Sequence, residues 1–353
     1  MLTPSKSDRI YLQLRRRIAA MRNGESFPTV RQLMAEYGVS QSTVTPAITQ
    51  LKDQGLLEAH VGRGSFVCKR KSGKPRMLLL QNNWPSENFL ALAATLERYA
   101  EEAGFRFKRV LYDYREDITP QLSSFDADVI VLDGIANDLL TPEQVMAISN
   151  CPAPVILSRN TVTVSRINYV CGDNTAAGMT AANYLYRMGH RKLGLLFNEP
   201  HIHTGECYAR GFRSCAASNG CSVEVLDCAI RPGERATERI AQFMADFAAG
   251  KYEFTALFPI SCEGAAIARE RLLEHGVRVP DDLSIISAGT TPKLDWLTAI
   301  DSGMAETSDY IVRMAADILS RGSKYRRQIE FPQKLVEESS VRSLIRQPAE
   351  RYG

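Results

Sequence analysis

The chain has 353 residues, of which 44% are hydrophobic and 24% are charged. This composition excludes a largely disordered protein, and the length suits two or three compact units better than a single core. The net charge of +3 is unevenly distributed. Residues 1–74 contain thirteen Lys and Arg against five Asp and Glu, a net charge of +8, which leaves −5 for the remainder. A small basic segment on a mildly acidic body is typical of a nucleic-acid-binding domain joined to a second unit.

Targeting and redox signals are weak. No apolar run approaches the roughly 20 residues that a membrane-spanning helix needs, and the first ten residues lack the apolar core of a secretion signal. The eight cysteines form neither a Cys-x-x-Cys pair nor a zinc-finger spacing. We therefore expect a cytoplasmic protein with reduced thiols and without membrane association.

Three short helices are predicted within the first 55 residues. Thr29 and Gln32 form a Thr-x-x-Gln capping box at the start of the second helix, and Gly38 can supply its left-handed end. Ser40 is a good N-cap for a third helix that ends at Gly55. Apolar positions at helical spacing mark the buried faces of the first and third helices: Tyr11, Leu14, Ile18 and Met21, then Val44, Ile48 and Leu51. Two short helices joined by a glycine-containing turn predict a helix-turn-helix unit.

A β-hairpin is predicted directly after these helices. Residues 56–59 and 65–67 have the composition of short strands, and they flank Gly62-Arg63-Gly64. The glycines permit a tight turn with Arg63 at its tip. This hairpin would act as a wing whose positive charge can enter a minor groove or contact a phosphate.

Helices, turn and wing in this order resemble the GntR-type winged helix-turn-helix over residues 8–68. The segments that carry the resemblance are 27–33, 38–44, Leu51, 55–56 and 62–67. The resemblance implies binding of double-stranded operator DNA. The predicted DNA-binding residues are Thr29, Arg31, Ser40, Gln41, Ser42, Thr43, Thr45, Lys52, Gly62, Arg63 and Gly64.

The third helix departs from the family pattern at three positions. Gln41 and Thr45 stand where the family usually has arginines, and Pro46 stands where it has an acidic residue. Glutamine can read adenine, and threonine can contact bases or phosphates. The departures therefore bear on the operator sequence. Because Pro46 removes an amide donor, we expect a bend or a tightened first turn in this helix.

A different pattern begins after a polar linker at residues 69–75. Apolar strands are predicted at 77–80, 129–132, 155–157, 193–197, 256–258 and 284–286, with helical stretches between them, the first at 89–103. Continuous apolar strands that alternate with helices indicate a parallel sheet covered on both faces. The body is long enough for two doubly wound lobes with a cleft at the carboxyl ends of their strands.

Motifs along the body resemble the sensing domain of the LacI/GalR regulators. They are Gly172-Asp173-Asn174, Gly178, 189–192, 210–212, 276–285 and 334–340. The resemblance implies a fold like a type I periplasmic binding protein, with two lobes, three crossovers and a small-molecule effector between the lobes. A GntR-type head on such a body resembles the arabinose-repressor class of chimeric regulators.

The predicted fold class is therefore α/β: an N-terminal winged helix-turn-helix followed by a two-lobed periplasmic-binding-protein-like domain with parallel, doubly wound sheets. We predict the head at residues 1–68, the linker at 69–75 and the body at 76–345. The first lobe would comprise 76–172 with 299–325, and the second 173–298 with 326–343. The predicted working form is a homodimer. Repression is the commoner direction of control for such a regulator and is the one we predict, with activation as the alternative.

The cleft lacks several of the polar residues that hold sugars in relatives. Tyr208 stands in place of an arginine, Ser261-Cys262 in place of an Asn-Asp pair, and Gly289 in place of an aspartate. The loss of these bidentate groups makes a simple sugar a poor candidate for the effector. The predicted effector-binding residues are Trp84, Arg159, Asn160, Asp173, Tyr208, Ser261 and Cys262.

Other functions have weaker support in the sequence. The cleft could be degenerate, leaving a regulator that binds DNA without an effector, and a solute-binding protein could share the body fold. His201 and His203, with Glu206 nearby, lack a recognisable third metal ligand, so we expect no metal and no cofactor. No GxSxG, GxxxxGK[ST] or HExxH motif is present, and we expect neither catalytic residues nor enzymatic activity.

Overall fold

The computed structural model describes most of the chain. The described residues are 6–22, 24–53, 55–60, 63–68, 74–83, 87–134, 140–159, 167–289, 291, 293–321 and 326–345. Three predicted site residues, Gly62, Trp84 and Asn160, lie outside them, as do linker residues 69–73.

The head contains three helices and a small antiparallel sheet. These elements are α1 (Lys6–Ala20), β1 (Ser26–Phe27), α2 (Val30–Tyr37), α3 (Gln41–Asp53), β2 (Leu57–His60) and β3 (Gly64–Val67). Strand β3 lies between β1 and β2. The capping box at Thr29 forms as predicted, and Gly38 ends α2 in the left-handed conformation with a φ of 60°. The predicted apolar faces meet in one core, in which Leu14, Leu33 and Leu51 are fully buried.

The first lobe of the body is a six-stranded parallel sheet covered by helices. Its strands are β4 (Arg76–Asn82), β5 (Arg106–Tyr112), β6 (Val129–Asp133), β7 (Val155–Ser158), β8 (Asn168–Gly172) and β15 (Gln328–Phe331), in the order β15-β8-β7-β6-β4-β5. Helices α4 (Glu87–Glu102) and α10 (Met304–Arg321) cover one face. Helix α5 (Pro142–Asn150) and a short 3-10 helix (Thr119–Ser124) cover the other.

The second lobe has the same layered build. Strands β9 (Lys192–Phe197), β10 (Ser222–Asp227), β11 (Ala256–Pro259) and β12 (Ser284–Ile285) form a parallel sheet in the order β10-β9-β11-β12. A smaller sheet contains β13 (Ser287–Ala288), β14 (Ala299–Asp301) and β16 (Lys334–Val336). Helices α6 (Asn174–Arg187) and α7 (His203–Ser218) pack on one face, and α8 (Thr237–Ala248) and α9 (Cys262–Glu274) on the other.

Two glycines allow α6 and α7 to approach closely. A Cβ atom on Gly178 would overlap the backbone oxygen of Tyr208, and one on Gly211 would overlap that of Thr175. The glycines of two resemblance motifs therefore have a steric role. They bring together the backbones of the helices on which the second lobe is built.

The chain crosses between the lobes three times, but two lobe boundaries differ from the prediction. Residues 299–301 belong to the second lobe, because β14 pairs with β13 and β16 and buries Ile300 there. Residues 328–331 belong to the first lobe, because β15 pairs with β8 and buries Phe331 against α10. The predicted assignment of 299–325 to the first lobe and 326–343 to the second was therefore wrong at these two strands.

Candidate functional site

Helix α3 presents a continuous polar face to solvent. Its buried residues are Val44, Ala47, Ile48 and Leu51, which fix the helix against the core. The opposite side exposes Gln41, Ser42, Thr45 and Lys52, all predicted DNA-binding residues, while Thr43 is half-buried. Side chains of these types can reach base edges and phosphates.

The first turn of α3 has a mixed hydrogen-bond pattern. The Ser40 carbonyl accepts the Thr43 N–H at 3.0 Å, the spacing of a 3-10 turn, and the Val44 N–H at 3.2 Å, the spacing of an α-helix. The bend or tightened turn expected from Pro46 stays a prediction. The Ser40 hydroxyl lies 2.8 Å from that of Ser42 and 3.1 Å from that of Thr43. Helix α3 nevertheless continues through Pro46 to Asp53. The exposed residues therefore remain on one face.

Two exposed arginines stand on other elements of the head. Arg31 lies in the first turn of α2, whose N-cap Thr29 is also exposed. Arg63 lies directly before β3 of the wing, beside the exposed Gly64. A helix N-terminus and nearby guanidinium groups both favour phosphate.

A second candidate site lies between the lobes of the body. A cavity of about 200 Å³ is lined by the carboxyl ends of strands from both lobes and by the first turn of α7. Such a position, at the switch point of doubly wound sheets, is where ligands bind in this class of fold. Of the predicted effector-binding residues, Arg159, Tyr208 and Ser261 line this cavity.

Arg159 is held in place by a buried carboxylate. Its Nε and Nη2 atoms donate to the two carboxylate oxygens of Asp133 at 2.8 and 2.6 Å, and Asp133 is fully buried. The Gln81 amide donates to the same carboxylate at 2.7 Å. The guanidinium carbon of Arg159 lies 4.1 Å from the ring centroid of Phe89. The backbone of Arg159 has a φ of 65°, which is uncommon for a residue with a side chain.

A hydrogen-bonded group at the cavity wall joins the second lobe to a crossover. The Tyr208 hydroxyl donates to Gln333 Oε1 at 2.8 Å, and Gln333 Nε2 donates to Asn174 Oδ1 at 2.7 Å. Burial raises the pKa of Tyr208, so the hydroxyl stays neutral. Gln333 lies in the third crossover, between β15 and β16. The cavity wall is thus coupled to the connection between the lobes.

Among the described residues that line the cavity, Glu199 is the one with a carboxyl group, and it lies in the second lobe. Burial raises the pKa of Glu199, a hydrogen bond from the Ser261 hydroxyl lowers it, and the nearby carboxylate of Glu263 raises it. The resulting pKa is about 7. Sequence reasoning missed Glu199, Asp133, Phe89 and Gln333. Asp133 and Glu199 were visible as acidic residues at or just after the ends of predicted apolar strands.

Two predicted effector-binding residues do not line the cavity. Asp173 Oδ1 accepts the Ala176 N–H at 2.8 Å, so the carboxylate caps helix α6. Cys262 is buried in the apolar core between the second sheet and helices α8 and α9. Their neighbours Gly172, Asn174 and Ser261 line the cavity instead. A role for Asp173 and Cys262 in binding the effector therefore stays a prediction, and in this structure the motif positions line the cavity through their neighbours.

The two histidines at the start of α7 face different partners. His201 lies 2.6 Å from Glu206 and 2.9 Å from Asp227, which raise its pKa. His203 lines the cavity. Among the described residues, no cluster of three or more His, Cys, Asp or Glu could hold a metal ion. No described helix is long and apolar enough to cross a bilayer.

Comparison with known families matches the head and the C-terminal part of the body. Residues 6–67 match the sequence model of the bacterial regulatory proteins of the gntR family. Residues 182–341 match that of the periplasmic binding protein-like domain. The chain therefore joins a GntR-type domain to a periplasmic binding protein-like domain. The predicted resemblances and fold class are confirmed.

Two curated relatives are transcriptional repressors. The chain is 29% identical over 171 residues to the transcriptional repressor PurR of Edwardsiella ictaluri. This match covers 46% of this chain and 49% of that protein. It is 39% identical over 65 residues to the Mannosyl-D-glycerate transport/metabolism system repressor MngR of Escherichia coli. This match covers 18% of this chain and 26% of that protein. The matches span about half of the first relative and a quarter of the second.

Solved structures share the fold of the body. A LacI-type regulator from Alkaliphilus metalliredigens, complexed with D-xylulofuranose, superposes with a TM-score of 0.63 over 76% of this chain and 99% of that one, at 18% identity. A LacI-family regulator from Enterococcus faecium with bound ribose superposes with a TM-score of 0.64 at 17% identity. The superposition covers 76% of this chain and 100% of that one. A lac repressor dimer bound to operator and the anti-inducer ONPF gives 0.65 over 77% and 96%, at 15% identity.

Proposed function

We propose that this protein is a sequence-specific DNA-binding transcription regulator, a repressor, which works in the cytoplasm as a homodimer under the control of a small molecule bound between its lobes. The observation that carries the proposal is the exposed face of α3, with Arg31 and Arg63 on neighbouring elements of a GntR-type domain. Residues Gln41, Ser42 and Thr45 would read base edges, while the arginines would contact phosphates. Repression is favoured by the two curated relatives, and we propose no catalytic activity.

The proposed dimer is supported by the small size of the DNA-binding domain. One helix-turn-helix contacts only a few base pairs, and two copies related by a two-fold axis double the length of sequence that is read. Selection of bound duplexes from a random pool by the full chain should enrich two related half-sites, and sedimentation of the complex should give two protein chains. Enrichment of no sequence, or a single chain in the complex, would contradict this part of the proposal.

The effector would act by favouring one arrangement of the lobes. Only a difference in affinity between two arrangements can change the spacing of the paired heads. A hundredfold difference corresponds to about 2.7 kcal/mol, within reach of a few buried hydrogen bonds. The contacts of Tyr208, Gln333 and Asn174 couple the cavity wall to the third crossover and would transmit that preference.

We propose that this effector is not a simple sugar. Neighbours of the body bind D-xylulofuranose and ribose. Here, however, Tyr208 replaces an expected arginine, and its hydroxyl is already bonded to Gln333. Calorimetric titration of the full chain with pentoses, hexoses and their phosphates should show no binding at micromolar concentrations. Micromolar binding of any of these sugars would contradict the proposal.

A further inference from the structure

We propose that the effector is a small aromatic amine whose protonated nitrogen binds Glu199. This inference rests on the proposed function, because it assumes that the cavity between the lobes is the effector site. The case combines the charges around the cavity, the hydrogen bonds of Glu199 and the chemistry of the remaining wall.

The positive charge of the cavity is already neutralised within the protein. Of the described residues that line it, Arg159 alone has a permanent positive charge. Two of its nitrogens are bonded to the buried carboxylate of Asp133, and one face of its guanidinium lies over Phe89. Moving Arg159 onto an anionic ligand would leave Asp133 buried without its cation, which is costly. The remaining N–H groups of Arg159 can still donate to a neutral oxygen.

In the part of the chain that the structure describes, no Lys or Arg is paired with Glu199. The Ser261 oxygen accepts from Asn198 at 2.6 Å and from the Gly264 N–H at 3.3 Å, which leaves its own hydrogen to donate to Glu199. Burial penalises the ionised form of Glu199, and the nearby carboxylate of Glu263 disfavours that form further. A carboxylate in this setting gains more from a cation than an exposed one does.

The position of Glu199 also disfavours anionic ligands. Ser261 is the N-cap of α9, and the N-terminus of a helix of 13 residues attracts negative charge. Glu199 provides that charge from the protein itself. A phosphate or carboxylate on the ligand would have to approach Glu199, and like charges at close range in a partly enclosed cavity repel.

The rest of the wall fits an aromatic body. Phe89, Tyr114 and Tyr208 line the cavity together with Ile202 and Pro200. Aromatic rings stack on one another and attract cations to their faces. A ligand with a ring and a protonated amine would therefore satisfy both the apolar wall and Glu199.

Matched ligands test the inference on the full chain. Each set has one carbon skeleton with three end groups: phenethylamine, 2-phenylethanol and phenylacetate; tyramine, tyrosol and 4-hydroxyphenylacetate; tryptamine, tryptophol and indole-3-acetate. Binding is measured by thermal shift and calorimetry at pH 8. We expect at least one amine to bind at least tenfold more tightly than its alcohol and its acid. Glu199→Gln should weaken that amine about 10- to 100-fold, the range for losing a charged hydrogen bond.

A matched variant controls for a general loss of negative charge. Glu263→Gln removes an exposed carboxylate of the same helix terminus that does not line the cavity, so it should retain the amine preference. Binding of no amine, equal binding of an acid or alcohol, or an unchanged preference in Glu199→Gln would overturn the inference.

The wild-type preparation is also titrated with selected duplex DNA. Failure to bind DNA would overturn the proposed function, whereas DNA binding with release by a compound other than an amine would overturn only this inference.

Discussion

The guanidinium of Arg159 and the carboxylate of Asp133 form a two-point ion pair at the carboxyl ends of adjacent strands, β7 and β6, with N···O distances of 2.8 and 2.6 Å. Asp133 is completely buried. The pair holds the guanidinium of Arg159 over the ring of Phe89 at one wall of the cavity. Its two members are 26 residues apart in the chain and meet only because the sheet brings their strands together.

Arg159→Ala should therefore destabilise the protein severely. The substitution leaves Asp133 as a buried charge without its partner, a change that costs about 3–5 kcal/mol. The fall in unfolding temperature of the full chain measures the effect. Arg98→Ala, which breaks an exposed pair with Glu102 on α4, is the matched control and should cost about 1 kcal/mol or less. Equal, small effects of both variants would show that the buried pair is not required for stability.

Gly178→Ala should force α6 and α7 apart. The new methyl group would overlap the backbone oxygen of Tyr208, and overpacking of this kind costs about 1–3 kcal/mol. Because Tyr208 lines the cavity, ligand binding should weaken together with stability. Met179→Ala, at an exposed position on the same helix, is the control and should change neither quantity appreciably. A Gly178→Ala variant as stable as the wild type would contradict the close approach.

Glu199 should make the stability of the protein fall as pH rises. Its pKa is about 7 in the folded chain against an ordinary value of 4.5, so between these values the folded state binds more protons than the unfolded state. Stability is then lost as pH rises through this range. The nearby groups that act with it are Ser261, Glu263 and Cys228. Glu199→Gln should raise the unfolding temperature relative to wild type at pH 8, and the difference should shrink towards pH 4.5.

Two controls define this pH experiment. Glu97→Gln, which alters an exposed carboxylate on α4 in the first lobe, should follow the wild-type dependence closely. A difference between Glu199→Gln and wild type that is constant from pH 4.5 to pH 8 would mean that Glu199 titrates at its ordinary pKa and is not desolvated in the folded protein.

Local signals predicted most of the fold. The capping box at Thr29, the left-handed end at Gly38 and the apolar face of α3 depend on residues within a few positions of one another, and all are observed. Buried strands such as β6 were visible as apolar runs. Strand β5 was not predicted, because it lies at the sheet edge and carries the charged residues Arg106, Lys108 and Arg109. Strand β15 was assigned to the wrong lobe, because its partner β8 is some 160 residues away.

The cavity was harder to predict than the head, for a physical reason. Its residues come from strand ends far apart in the chain, and the direction of each side chain depends on packing. Asp173 and Cys262 occupy motif positions, yet one caps a helix and the other lies in the core. Gln333 bridges Tyr208 and Asn174 and had no signal in the sequence.

Substitutions in the head should distinguish residues that read bases from residues that bind phosphates. Gln41→Ala on α3 should relax sequence preference at about one operator position and cost about 1–3 kcal/mol on the selected sequence. It should change binding to unrelated DNA little. Comparison of affinities for the selected duplex and for single-base variants of it measures this. A uniform loss on all sequences would place Gln41 at a phosphate instead of a base.

The most direct test of DNA binding by the head is a titration of the selected duplex with wild type, Arg31→Ala, Arg63→Ala and the control Arg98→Ala at several salt concentrations. The proposal predicts that the wild-type affinity falls steeply with salt, because bound phosphates release counterions. Arg31→Ala and Arg63→Ala should each weaken binding by about one to a few kcal/mol and lower the salt slope by about one unit. Arg98→Ala, on the body, should match the wild type. Unchanged affinity and slope in both head variants at moderate salt would contradict the placement of DNA on this face.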